Sequence, residues 1–242
     1  MSELLVLQHT EGAGPSAFTE VLDGRTSIAP WRLISVAAPE DVPSDLDDVA
    51  GLIILGGTMS VTEPDDQPWM SAELELLRRA VDAEVPVFGV CLGAQLLGAA
   101  LGGKVERRDV PEIGYLALHR TEAAAGDPVF GGWQDGAHQL FLHEDEVAEL
   151  PDGATPMLVG SDATAGWRLG SAWAVQFHPE VDVAQLEGWA ELPALSPLLD
   201  AAGVDGDALL EEARRRDRNV VPIGRALVGR FVDAVVRPYL ED

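Results

Sequence analysis

Apolar and polar residues alternate along the first half of the chain in blocks that predict strands alternating with helices. Four short apolar runs are typical of buried strands: 4–7, 31–37, 51–55 and 86–90. Apolar side chains at three- and four-residue spacing predict an amphipathic helix over 68–84, and an earlier helix is predicted over 15–22. This alternation predicts an α/β fold: a flavodoxin-like three-layer α/β/α sandwich around a mainly parallel or mixed central sheet.

The second half of the chain predicts further strands and then helices. Five strand-like segments are separated by Gly and Asp turns, at 104–108, 115–119, 139–142, 156–159 and 172–177. They predict an antiparallel or mixed extension of the sheet. Pro193 and Pro197 indicate a connection, and Asp205 is placed to cap a helix that runs through Arg216.

An apolar stripe at four-residue spacing ends the chain, formed by Ile223, Leu227, Phe231 and Val235. It predicts a last helix that packs on the body of the protein, and the alternative is a surface for a homodimer or another partner. We therefore predict a main domain over 1–190, which carries the chemistry, and a C-terminal helical extension over 191–242 packed on it.

Composition excludes several classes of partner. The 242 residues are 47% apolar, enough for a core, and 16 basic against 41 acidic residues give a net charge of −25. So negative a surface repels phosphates and anionic headgroups, which argues against nucleic acid and membrane partners. The N-terminus has no basic segment typical of a signal peptide, and one cysteine permits no internal disulfide. Both features predict a reducing, cytoplasmic location.

Candidate chemistry begins at that cysteine. Cys91 follows the strand-like run 86–90 and precedes a helix-favouring run, and Gly89 and Gly93 flank it in the sequence GVCLGAQLL. Small neighbours at a strand-to-helix turn are typical of a nucleophile elbow. His178 and Glu180, in the sequence QFHPE, end another strand and can supply a base and the carboxylate that orients it. Together the three residues predict an acyl-transfer triad.

Such a site also needs donors for an oxyanion. The backbone N–H of Leu92 and the Gly56-Gly57 pair at the end of the third strand are the candidates. The cluster at 143–146 (His-Glu-Asp-Glu) is either a solvated loop or a wall of the site. His9, His119 and His138 have no ligand-like spacing, and no nucleotide-binding motif occurs, so neither a metal nor a cofactor is expected.

These motifs resemble class I glutamine amidotransferases of the triad type. The likeness covers about residues 1–185 and rests on GVCLGAQLL, QFHPE and the early Gly pair. It is strongest toward the glutaminase domain of GMP synthase and its free-standing relatives, to which EIGY (112–115) and HEDEV (143–147) are also similar. The resemblance implies that Cys91 attacks the side-chain amide of glutamine, and that His178 and Glu180 complete the triad.

The resemblance also implies the rest of the reaction. Gly57 and Leu92 would hold the oxyanion, and Gln95 and Asp145 would contact the substrate. Water would hydrolyse the thioester, and the ammonia would pass to a partner synthase in trans. No ATP-using synthase domain is expected after the triad, because 181–242 is too short and carries no phosphate loop.

Two departures from the family pattern leave other functions open. Thr58 follows the Gly pair where many relatives have proline, and Glu144 stands where synthase domains often have glycine. A free-standing hydrolase of γ-glutamyl amides or peptides is therefore the second interpretation. A non-catalytic regulatory or binding subunit on the same fold is the third.

Overall fold

A nine-stranded mixed sheet runs through the centre of the protein, in a computed structural model that describes residues 2–161 and 163–241. The strands are β1 (Glu3–Gln8), β2 (Trp31–Ser35), β3 (Val49–Ile54), β4 (Val87–Val90), β5 (Lys104–Arg120), β6 (Ala137–Glu149), β7 (Thr155–Val159), β8 (Thr164–Leu169) and β9 (Ala172–Val175). Their order across the sheet is β2-β1-β3-β4-β9-β8-β7-β5-β6.

Five neighbouring strands, β2, β1, β3, β4 and β9, are parallel, and β8, β7, β5 and β6 extend the sheet with antiparallel pairs. The α/β prediction with a mixed sheet is therefore confirmed. In such sheets ligands bind at the carboxyl ends of the parallel strands. The turns after β3 and β4, which carry the Gly pair and the cysteine, both lie at that edge.

Helices cover both faces of the parallel part. They are α1 (Phe18–Asp23), α2 (Met70–Asp82), α3 (Leu92–Ala100), α4 (Val183–Ala190), α5 (Leu195–Ala202), α6 (Gly206–Phe231) and α7 (Arg237–Glu241), with a π-helical turn at Val232–Val236. Alternate residues of β1 point to opposite faces: Leu4 packs in one core cluster with α1 and α6, and Leu5 packs in another with α2 and α3. This is the three-layer arrangement that the periodicity predicts.

Several elements differ from the prediction. The strands predicted at 104–108 and 115–119 form one strand, β5, which pairs with β6 through an irregularity between Arg107 and Glu112. β6 is longer than the predicted 139–142, and β8 has no counterpart among the predicted strands. Pro197 lies in the first turn of α5, where a missing N–H costs no helix bond, so the predicted connection contains a helix.

The helix that Asp205 caps is also longer than predicted. The Asp205 carboxylate accepts a hydrogen bond from the Ala208 N–H, as expected of a cap, but the helix runs past Arg216 to Phe231 with Pro222 inside it. Phe231 is fully buried in the cluster that holds α1 and the sheet. We keep the division into 1–190 and 191–242 as a proposal, which this packing supports; residues 1, 162 and 242 lie outside the described residues.

No helix within 2–161 and 163–241 is long and apolar enough to cross a membrane.

Candidate active site

Cys91 occupies the turn between β4 and α3. Its backbone has φ 50° and ψ −106°, a conformation that residues other than glycine rarely adopt. Its N–H donates a hydrogen bond to the Val175 carbonyl at 2.8 Å. The flanking glycines are required by packing: a Cβ on Gly93 would lie 2.2 Å from the Ile54 carbonyl oxygen, and one on Gly89 would lie 2.6 Å from the Gly93 oxygen. The glycine frame thus lets α3 start directly against the sheet.

His178 lies beside this turn and is held from several sides. Its N–H donates to the Leu140 carbonyl at 2.8 Å, and its ring Nδ1 pairs with Glu180 Oε1 at 2.8 Å. The side chains of His178 and Glu180 are each 3% exposed. A Cβ on Gly56 would lie 2.8 Å from His178 Cε1 and 3.5 Å from Cys91 Cβ, so the imidazole and the cysteine meet around this glycine.

The charge of His178 follows from its neighbours. Burial by itself lowers the pKa of the imidazole, but the charges of Glu180 and Cys91 and the hydrogen bonds to both outweigh it. The pKa of His178 is therefore held well above its ordinary value. The ring can hold a proton between a carboxylate and a sulfur at neutral pH, which is the state from which a leaving group is protonated.

Gln176 is a contact that the sequence reasoning did not assign. Its Nε2 donates a hydrogen bond to Cys91 Sγ at 3.7 Å, and the residue is 7% exposed. It belongs to the QFHPE segment and lies two residues before His178. Because side chains alternate along extended backbone, residues two apart share a face, and this spacing could have indicated that both approach the same cysteine.

The predicted oxyanion donors lie next to the cysteine. Gly57 lines the cavity in front of Cys91, and a Cβ there would lie 2.8 Å from the Leu92 side chain. Leu92 is the first residue of α3, so its N–H has no partner within the helix. The Thr58 N–H donates to the Thr10 hydroxyl at 3.2 Å, which ties the loop after β3 to the end of β1.

Gln95 and Asp145 form one connected wall of the site. Gln95 Nε2 donates to the Asp145 carbonyl at 2.7 Å, and the His143 ring Nδ1 donates to the same oxygen at 2.9 Å. The Asp145 carboxylate accepts hydrogen bonds from Ser60 Oγ and from Arg107 Nε. Both predicted substrate contacts thus line the cavity with their positions fixed by the protein.

The 143–146 cluster is not a loop. It lies within β6, where His143 and Asp145 are buried, and His143, Glu144 and Asp145 line the cavity. His143 Nε2 also pairs with Glu112 Oε2 at 2.9 Å, across the β5–β6 ladder. The solvated-loop alternative is therefore wrong, and the cluster forms part of the wall of the cavity in front of Cys91.

The cavity measures about 260 Å³ and has two unlike sides. Thr10, the Gly57 loop and the β6 cluster form the polar side, and α4, α5 and their connection form the apolar side, with Trp189, Leu192, Leu195, Pro197, Leu198 and Ala201. Among the described residues that line it, none is Lys or Arg. Nor do three metal-ligating side chains gather anywhere in the described part of the chain.

Residues 25–187 match the family model for class-I glutamine amidotransferases, and the chain belongs to that family. It is similar to two glutamine-hydrolysing GMP synthases. That of Porphyromonas gingivalis is 33% identical over 188 residues, which cover 72% of this chain and 34% of the relative. That of Pyrobaculum aerophilum is 32% identical over 149 residues, which cover 60% of this chain and 27% of the relative. The chain thus spans about a third or less of the length of these relatives.

Crystal structures with the same fold span almost the whole chain. A glutamine amidotransferase of Thermotoga maritima matches with a TM-score of 0.83 at 24% identity and covers 96% of this chain and 98% of its own. One from Methylobacillus flagellatus matches with a TM-score of 0.81 at 25% identity and covers 96% of this chain and 94% of its own. The predicted resemblance and fold class are confirmed.

Proposed function

We propose that this protein hydrolyses the side-chain amide of glutamine through a Cys91–His178–Glu180 triad and a thioester intermediate, and that the ammonia passes to a synthase on another chain. The observation that carries the proposal is the meeting of a cysteine at positive φ with a buried, carboxylate-paired histidine. A thiol with a proton carrier oriented by a third group is the arrangement that acyl transfer needs.

The reaction follows from the positions of the groups. The Cys91 thiol gives its proton to His178 as the sulfur attacks the amide carbon, and the carbonyl oxygen becomes an oxyanion facing the N–H groups of Gly57 and Leu92. Each such donor contributes about 3 kcal/mol of transition-state stabilisation. His178 gives its proton to the departing nitrogen, and ammonia leaves as the C–N bond breaks. His178 then takes a proton from water, the hydroxide attacks the thioester, and glutamate leaves as the C–S bond breaks.

The polar side of the cavity is suited to the amino-acid end of the substrate. Glu144 and Asp145 line it, and an α-ammonium group is attracted to carboxylates. Gln95 and Asp145 are held by hydrogen bonds to their own neighbours, so their positions do not depend on the substrate. Pre-positioned polar groups reduce the ordering cost of binding.

The fate of the ammonia is inferred from the relatives. The matched relatives are named as glutamine-hydrolysing GMP synthases. By analogy with them, we infer that the ammonia passes to a synthase supplied in trans. We expect weak glutaminase activity from the protein alone and a rise when that synthase is added.

A panel of glutamine and γ-glutamyl amides, scored for glutamate and for released amine, tests the reaction. We expect equal amounts of glutamate and ammonia from glutamine. A glutamine analogue with an electrophilic ketone should add one mass increment to the peptide that contains Cys91, the only cysteine of the 242 residues. A protein that forms no adduct and turns over no member of the panel would support the non-catalytic interpretation instead.

One observation favours the second candidate, a hydrolase of γ-glutamyl amides or peptides. The Trp189 ring packs edge-on to His178 with 5.0 Å between the ring centroids, and it begins the apolar side of the cavity. Because His178 protonates the departing nitrogen, a substituent on that nitrogen would lie toward Trp189. If γ-glutamyl alkylamides in the panel exceed glutamine in kcat/KM, this candidate replaces the first.

Changing Glu180 to glutamine is expected to lower kcat by about 10²- to 10⁴-fold, because a neutral amide neither raises the pKa of His178 nor fixes its tautomer. The side chain keeps its size, so the fold should be retained. Steady-state kinetics and thermal unfolding measure the two effects. Glu187→Gln is the matched control, since Glu187 pairs with Arg214 on the surface. Equal kcat values for the two variants would contradict the role of Glu180.

A further inference from the structure

We propose that Gln176 is a further catalytic residue, whose side-chain amide donates a hydrogen bond to the Cys91 sulfur and stabilises it as the attacking anion. The proposal rests on Cys91 being the nucleophile, as proposed above. It adds a donor that does not take part in proton transfer. The triad itself contains no such group.

The contact is direct and enclosed. Gln176 Nε2 lies 3.7 Å from Cys91 Sγ, within the range of N–H···S hydrogen bonds, and both residues are buried. The Gln176 N–H is bound to the Ala165 carbonyl at 2.9 Å, so the start of the side chain is fixed to β8. A hydrogen bond in a water-poor site is stronger than the same bond in water.

The chemistry of the amide decides its role. A carboxamide nitrogen only donates, so the sulfur is the acceptor. A donor that faces the charged form of an acid favours that form, and the thiolate is the nucleophilic form of cysteine. Gln176 therefore favours the reactive state of Cys91 without competing for its proton.

Gln176 and His178 stabilise the Cys91 sulfur at different steps of the reaction. His178 gives its proton to the departing nitrogen and takes another from water, so its support of the sulfur is interrupted while the thioester exists. The amide of Gln176 keeps its hydrogens throughout the cycle. When water attacks the thioester and the C–S bond breaks, the sulfur leaves as an anion, and Gln176 is in place to receive it.

The reactivity of Cys91 toward iodoacetamide at different pH values tests the proposal without any substrate. The full chain contains one cysteine, so the mass increment reports Cys91 alone. In Gln176→Met, which keeps the length but removes the donor, we expect the alkylation rate on the acid side of the rate-versus-pH curve to fall about tenfold, as for the loss of a hydrogen bond to a charged group. The midpoint of the rate-versus-pH curve should rise by about one unit.

Two further variants sharpen the comparison. Gln176→Glu places a carboxylate beside the sulfur and should raise the midpoint beyond that of Gln176→Met, because like charges oppose each other. Gln139→Leu is the matched control: Gln139 is also buried and donates to the Val220 carbonyl at 3.2 Å, away from Cys91. It should keep the wild-type midpoint even if its unfolding temperature falls.

The outcomes separate this proposal from the general function. A wild-type midpoint in both Gln176 variants, each shown to be folded by circular dichroism, overturns the role of Gln176 even if glutamine hydrolysis is confirmed. A shifted midpoint supports it even if glutamine is not the substrate. If the protein does turn over a γ-glutamyl substrate, Gln176→Met should lower kcat with little change in KM, which a merely structural residue would not produce selectively.

Discussion

Cys91→Ala is expected to lower glutamine hydrolysis by at least about 10⁴-fold in kcat, to the limit of detection. No other residue can form a thioester, because Cys91 is the only cysteine of the 242 residues. The fold should persist, because alanine removes a single buried sulfur atom and places the same Cβ at the same positive φ. Glutamate release and thermal unfolding measure the two effects.

A binding measurement on the same variant separates the nucleophile from the rest of the site. Cys91→Ala should still bind glutamine, because Gln95, Asp145 and the Gly57 loop are unchanged, and isothermal calorimetry can detect this binding. The electrophilic glutamine analogue should label the wild-type protein and leave this variant unlabelled. Turnover that survives in Cys91→Ala would refute the assignment of the nucleophile.

Gly224→Ala is expected to disturb the site although Gly224 does not line the cavity. Gly224 lies in α6, and a Cβ there would lie 1.8 Å from the Pro179 carbonyl oxygen. Since Pro179 joins His178 to Glu180, either α6 or the triad turn must move. We expect a loss of about 1–3 kcal/mol in the free energy of unfolding. We also expect a fall of about 100-fold in kcat, as for a displacement of about 1 Å at a reacting group.

Gly188→Ala is the control for this effect. Gly188 lies inside α4, and a Cβ there would meet nothing within 4 Å. Alanine in a helix interior is favoured over glycine by about 0.5–1 kcal/mol, so this variant should be as stable as wild type or more so, with unchanged kcat. If Gly224→Ala behaved like Gly188→Ala, the tight packing of α6 on the triad turn would be contradicted.

The part of the site that the sequence predicts well is the part set by local pattern. An apolar strand, a small-residue turn and a helix follow one another in a few residues around Cys91, and His178 ends a strand of the same sheet. Parallel strands bring such ends to one edge, so the meeting of these two residues follows from the fold class. The Gly57 loop follows another parallel strand, so the same argument predicts that it lies at this edge.

The part that escaped prediction depends on contacts between distant segments. Local propensity does not reveal that β5 and β6 pair over most of their lengths, so the 143–146 cluster remained ambiguous until that pairing placed it in a strand. The helix α5 was not predicted because Pro197 usually indicates the end of a helix, although proline is tolerated in a first helical turn. The apolar side of the cavity, which α5 helps to form, was therefore not predicted either.

The contact of Gln176 with Cys91 was not predicted for a different reason. Gln176 belongs to the QFHPE motif, but glutamine has no titratable group and is neither an acid, a base nor a nucleophile. The hydrogen bond to Cys91 appears only once β9 lies beside β4. Neutral donors near a nucleophile are therefore a class of residue that sequence patterns underreport.

Because Cys91 is the only cysteine of the 242 residues, it also determines how this protein recovers from oxidation. If peroxide converts Cys91 to a sulfenic acid, no second thiol exists within the 242 residues to condense with it as an intrachain disulfide. Recovery then requires a small thiol from the surroundings that can enter the cleft and be removed again. The lifetime of the working protein under oxidative stress is thus set by the reductants that can reach Cys91.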